Sequence, residues 1–106
     1  SRIKIFWAKD KEKWNLTMFK KFIKNKTVYL TFDVDAFDSG IMPATGTPEP
    51  GGLLWDETLK IIKIAMKNSK VVGADVNELA PIKGFNSYNF LVAKLVYKIL
   101  SYKFFY

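Results

Sequence analysis

The stretch Val28-Tyr29-Leu30-Thr31-Phe32-Asp33-Val34-Asp35-Ala36-Phe37-Asp38 decides how this chain reads. It opens as a β-branched and aromatic run, Val28 to Asp33, consistent with a buried strand. It closes in three acids. Carboxylates at the end of a buried strand are costly to desolvate unless something pairs with them. A divalent metal is the usual reason to gather several there. In extended backbone the i, i+2 spacing of Asp33 and Asp35 puts both carboxylates on one side. That arrangement suits hard, oxygen-preferring ions such as Mn²⁺ or Mg²⁺. The plainer reading is that one acid caps the following turn and the other is solvated. Asp38 reads as a turn residue, or as a group supporting the ligands.

Working outward, the chain reads as three strand-then-helix units. Ile3-Lys4-Ile5-Phe6-Trp7 is a short strand candidate. Asn15 can cap a helix whose apolar face is Leu16, Phe19, Phe22 and Ile23. Residues 36–54 carry Gly, Pro, Ser and Thr at loop density. A second helix begins near Trp55, with Asp56 and Glu57 in its first turn, where the helix dipole favours acids. Its apolar stripe is Trp55, Leu59, Ile62 and Met66. Lys70 to Val76 is the third strand. Ser87 can cap a last helix carrying Leu91, Val92, Leu95, Val96 and Ile99. Strands alternating with helices predict an α/β fold, a parallel sheet covered by helices. Ligands of such sheets gather outside the carboxyl ends of the strands. Asp33 and Asp35 end the second strand, and Asp75 to Glu78 end the third, so the fold brings both groups to one rim.

At 106 residues and 49% hydrophobic content the chain fits one small domain or part of a larger one. It has no cysteine, which excludes a disulfide framework and a thiolate metal site. No signal peptide is visible, and a cytoplasmic location fits. The longest apolar stretch, Phe90 to Leu100, is interrupted by Lys94 and Lys98, so no membrane span is expected. The net charge of +7 raises nucleic-acid binding as one reading. Against it, Arg2 is the only arginine and the lysines are spread over several helices, which favours a solvated lysine-rich surface. Eight of the ten acids lie between Asp33 and Glu78, so the chain is basic at its ends and acidic in its middle.

Three motifs resemble one family. Thr31 to Asp38 resembles the manganese-binding signature of the ureohydrolases, the arginase and agmatinase family. Thr45-Gly46-Thr47-Pro48-Glu49-Pro50-Gly51-Gly52-Leu53 resembles the loop that follows it there. Asp75-Val76-Asn77-Glu78-Leu79-Ala80-Pro81 resembles the later Asp-x-x-Glu-x-x-Pro segment. Their order and spacing match, and Glu49-Pro50 before the paired glycines is similar to the agmatinase branch. The resemblance implies an arginase-like three-layer sandwich with a parallel sheet, present here as a partial β-α-β-α-β-α unit. It implies two Mn²⁺ ions per intact site, with Asp33 bridging them and Asp35 binding one. Glu78 would hold the guanidinium of a small-molecule substrate by paired, charge-assisted hydrogen bonds. Thr47 would stand behind the ligands or touch substrate near Glu78. The glycines at 46, 51 and 52 would let the loop backbone pass close to the site. A metal-activated water would then attack the guanidinium carbon, releasing urea and an amine, putrescine if the substrate is agmatine.

The chain departs from the family pattern in one decisive respect: it contains no histidine. The resemblance calls for Gly-Asp-His and Asp-x-His-x-Asp type motifs upstream of the matched region, and nothing in residues 1–32 replaces them. Residues 1–106 therefore read as the C-terminal part of a single ureohydrolase domain. The isolated chain is expected to bind manganese weakly and to lack useful hydrolase activity. Smaller departures are Thr31 in place of serine, Ser39 in place of proline, and the Gly84 to Phe90 stretch near the expected substrate mouth. The leading reading is an agmatinase-like ureohydrolase, a homo-oligomer when intact, with neither nucleic acid nor membrane as partner. The alternative is a non-catalytic fragment or binding module that keeps the acidic rim. An open sheet edge and the aromatic tail Tyr102 to Tyr106 predict self-association of the chain alone.

Overall fold

A computed structural model describes residues 2–106. Helix α1 (Leu16–Ile23) is followed by strand β1 (Thr27–Asp33), helix α2 (Trp55–Asn68), strand β2 (Lys70–Asn77) and helix α3 (Asn86–Phe105). Two 3-10 segments, Ala8–Lys13 and Val34–Ala36, complete the order. β1 and β2 pair in parallel, as the strand-helix-strand order requires. The α/β class with a parallel sheet is the one expected from sequence.

Each element follows from local chemistry. Asn15 caps α1, its Oδ1 accepting from the Met18 N–H at 3.1 Å. At the start of α2 the Glu57 Oε1 accepts from the Leu54 N–H at 2.7 Å. The reciprocal bond of a capping box is absent, because a leucine side chain accepts nothing. α2 buries Thr58, Ile62, Ala65 and Met66, while Trp55 and Leu59 are half-buried. α3 buries Val92, Leu95 and Ile99. Val96, expected on that stripe, is 40% exposed, because it lies one step off the row through 92, 95 and 99.

β1 alternates between its faces. Val28, Leu30 and Phe32 turn toward the core, and Tyr29, Thr31 and Asp33 are exposed. The core side meets Val71 and Val76 of β2, with Ile62 and Met66 of α2 and Leu95 and Ile99 of α3 in the same cluster. Register slips by one residue between Val28 and Tyr29, so that Tyr29 faces Gly73. The Tyr29 ring lies across that glycine, and a Cβ there would come within 2.7 Å of a ring carbon.

Two local expectations are corrected. Ile3 to Trp7 forms no strand; the ladder consists of β1 and β2, and Ile5 and Trp7 are exposed. Alternation of basic and apolar residues gave a period of two there, but sheet structure also requires a neighbouring strand. Ser87 does not cap α3. The cap position lies two residues earlier, at Phe85, with no side-chain cap, and Ser87 lies in the first turn of the helix. No helix among the described residues is long and apolar enough to cross a membrane.

Candidate active site

The site is assembled where both strands end. Asp33 is the last residue of β1 and pairs with Asn77, the last residue of β2. The chain then turns through Val34–Ala36, with Val34 and Phe37 wholly buried. Burial of these two apolar residues pins the turn between them. Asp35 therefore stands on a 3-10 turn and not on extended backbone, so the simple i, i+2 geometry expected of Asp33 and Asp35 does not apply. Asp33 is exposed and Asp35 half-buried.

The glycine- and proline-rich loop is tied back to this turn by backbone and carboxylate bonds. The Asp38 N–H donates to Leu53 O at 2.8 Å, and the Leu53 N–H donates to Ala36 O at 2.8 Å. The Asp38 carboxylate accepts from the Gly51 N–H at 2.7 Å and the Gly40 N–H at 2.8 Å. These N–H donors, Gly51 foremost, hold its carboxyl below the usual carboxylate range. Asp38 is thus a loop organiser, as a turn residue should be. Gly52 passes so close to the turn that a Cβ would lie 2.6 Å from Ala36 O and Asp38 N. Lys11 reaches in from the first 3-10 segment, donating to Gly52 O at 2.8 Å and pairing with Glu57 at 3.0 Å.

This clamped loop delivers Thr47 to Asp35. The Thr47 Oγ1 donates to Asp35 Oδ2 at 2.9 Å. The same loop meets the segment after β2, through a bridge between Thr45 and Leu79 and an Ala80 N–H bond to Ala44 O at 2.8 Å. Glu78 lies between β2 and that bridge. It is exposed and adopts φ +74°, a left-handed conformation that glutamate rarely takes.

A cluster that sequence reasoning had not joined lies beside Asp33 on the exposed face of the sheet. Asp75 accepts from Thr31 Oγ1 at 2.5 Å, from Asn77 Nδ2, and from the Tyr29 hydroxyl. The Thr31 bond leads in holding its carboxyl below the usual range, and the Asp75 carboxylate in turn raises the Tyr29 phenol. The strand alternation that exposes Tyr29, Thr31 and Asp33 was readable. The register that sets Thr31 opposite Asp75 was not.

The donor set for a metal is partial. Hard divalent cations take about six ligands. Asp33 and Asp35 offer two carboxylates, and one oxygen of Asp35 already accepts from Thr47. The chain has neither histidine nor cysteine, and no group of three metal-binding side chains is found among the described residues. The residues present do not make a complete manganese site by themselves.

A profile of the arginase family matches residues 1–101. The chain belongs to the arginase family. Among relatives of that family, it is 42% identical over 103 residues to the N(1)-aminopropylagmatine ureohydrolase of Synechocystis sp., covering 94% of this chain and 33% of the relative. It is 33% identical over 99 residues to the agmatinase of Pyrococcus horikoshii, covering 92% of this chain and 35% of the relative. Among solved structures, proclavaminate amidino hydrolase from Streptomyces clavuligerus superposes with a TM-score of 0.84 at 26% identity, over 95% of this chain and 36% of that one. Agmatine ureohydrolase of Thermoplasma volcanium gives 0.76 at 28% identity, over 91% and 33%. The chain thus spans about a third of the length of the relatives it matches. These arginase-fold neighbours bear out the α/β class with a parallel sheet, while the partial β-α-β-α-β-α unit is corrected to two strands, β1 and β2, among the described residues.

Proposed function

We propose that this chain contributes the carboxylate wall of an agmatinase-like ureohydrolase, which hydrolyses a guanidino C–N bond in a manganese-dependent reaction. Agmatine, giving putrescine and urea, is the substrate that the agmatinase-type relatives favour. Asp33 and Asp35 are the acids offered to the metal pair. The remaining ligands, histidines included, come from outside these 106 residues. Thr47 fixes one oxygen of Asp35 and would leave the other available to a metal. Glu78 receives the guanidinium, whose planar donors match a carboxylate in paired, charge-assisted bonds.

The observation that carries this reading is the conformation of Glu78. A left-handed backbone at a non-glycine residue costs about 1–2 kcal/mol. Glycine would relieve that cost, yet a glutamate stands there, exposed, on the rim that holds Asp33 and Asp35. An unfavourable backbone retained at a ligand-facing rim points to duty for the side chain.

The test is complementation. Combined with the part of a related agmatinase that carries the histidine motifs, the chain should restore manganese-dependent urea release from agmatine. Alone, it should bind manganese weakly and release no urea. Urea release by the isolated chain, or none from the combined pieces when they demonstrably associate, would contradict the proposal. Homo-oligomer formation belongs to the same reading, and exposed Phe90, Phe104 and Phe105 supply apolar surface for it.

A further inference from the structure

A cavity of about 600 Å³ opens at the opposite end of the sheet from the acidic rim. Its walls include Asn25, just before β1, and Lys70, the first residue of β2. At about 3.3 Å per residue, the length of β1 separates it from Asp33 by about 20 Å. Lys24, Lys67, Lys70 and Lys103 all line it, and no Asp or Glu does. The walls are tied together. The Asn25 N–H donates to Asn68 O at 2.8 Å, and the Lys70 N–H donates to Lys26 O at 2.8 Å. Asn25 turns the chain at φ +61°, a conformation asparagine tolerates. Lys67 Nζ stands 4.7 Å from the centre of the Tyr106 ring, which limits where its charge can go.

Helix C-termini favour cations, and this supplies a partial account of the lysines. Lys24 caps α1, Lys67 is in the last turn of α2, and Lys103 is in the last turn of α3. Three helix ends carry together about −1.5 charges. Four ammoniums exceed that, and Lys70, on a strand, serves no helix end. The surplus is positive and concave, and no Asp or Glu side chain lines it to offset the lysines.

We propose that this cavity binds a small polyphosphate anion, such as the phosphate chain of a nucleoside triphosphate or inorganic tripolyphosphate. Lysine binds phosphate as a compact point charge, and several converging on one hollow suit adjacent phosphoryl groups. The volume lies within the range of small-molecule sites. A nucleic-acid backbone is the less suitable occupant, because Arg2 is the only arginine and the charge is gathered in a hollow rather than along a groove. This site is independent of the ureohydrolase reading and lies at the other end of the molecule.

Calorimetric titration of the full chain with inorganic tripolyphosphate tests it. One-to-one saturable binding is expected, with ATP competing. The double variant Lys24→Gln/Lys70→Gln should weaken binding by roughly tenfold or more, given the strength of bonds to charged groups. Lys83→Gln, in the loop after β2, should change it less than about twofold on the same basis. Should the double variant fail to fold, acetylation of wild-type lysines read by mass spectrometry decides. Tripolyphosphate should then protect Lys24, Lys67, Lys70 and Lys103, but not Lys83. Equal weakening in all variants, or protection spread over every lysine, would overturn the proposal. So would binding of random duplex with no uptake of tripolyphosphate.

Discussion

Thr47 Oγ1 donates to Asp35 Oδ2 across 2.9 Å, joining the glycine- and proline-rich loop to the turn that ends β1. Twelve residues separate the two in sequence, and the loop between them is closed by Asp38. The bond is exposed, so its role is orientation more than stability. Thr47→Val should leave the unfolding free energy within about 1 kcal/mol of wild type. In the complemented enzyme it should lower kcat/KM, and Thr47→Ser should restore it. Denaturant unfolding paired with urea assays on the three proteins checks both halves.

Glu78 offers the opposite combination. Glu78→Gly relieves the left-handed backbone and should stabilise the chain by about 1 kcal/mol. The same change removes the carboxylate proposed to receive the guanidinium and should reduce kcat/KM for agmatine by about 10-fold to 100-fold, without changing metal content. A more stable but less active protein is the expected signature. Loss of stability with unchanged turnover would show that the glutamate serves the fold.

Gly52→Ala should be among the most damaging single-methyl changes in the loop. The added Cβ meets backbone atoms of Ala36, Phe37 and Asp38 at 2.6 Å, and backbone cannot step aside as a side-chain tip can. Overpacking of this kind costs about 1–3 kcal/mol. Denaturant midpoints report it, and Gly46→Ala is the control, since nothing lies within 4 Å of a Cβ there.

The acid limb of stability should reflect Asp38 and Asp75. Both have folded-state values below their ordinary ones, the first through the Gly51 and Gly40 N–H groups, the second chiefly through Thr31. A depressed carboxylate stabilises the fold above its unfolded value, about 3.9, and that contribution is lost as pH falls through the folded value. Thr31→Val should therefore raise the Asp75 titration midpoint toward the ordinary value while leaving Asp38 in place. Side-chain carboxyl NMR titration separates the two.

Much of the fold was legible because period and punctuation agreed. Val28 to Asp33, the second helix from Trp55 and the strand from Lys70 each combine a clear pattern with flanking turn residues. Ile3 to Trp7 had the pattern, but the ladder among the described residues is β1 with β2. The rim position of Asp33 and Glu78 followed from parallel topology alone. Thr47 on Asp35, Thr31 on Asp75 and Lys11 on Gly52 did not, since side-chain contacts depend on register and loop path. The lysine cavity was hidden for the same reason: residues 24, 67, 70 and 103 converge only once three helix ends and a strand start are brought together.

The most direct test of the central claim is the manganese content of the complemented ureohydrolase after dialysis, measured beside urea release. The wild-type chain should hold two ions per site. Asp33→Asn/Asp35→Asn should lose at least one of them and its activity, while the pieces still associate. Two retained ions with undiminished urea release from the double variant would contradict the assignment of these acids to the metal wall.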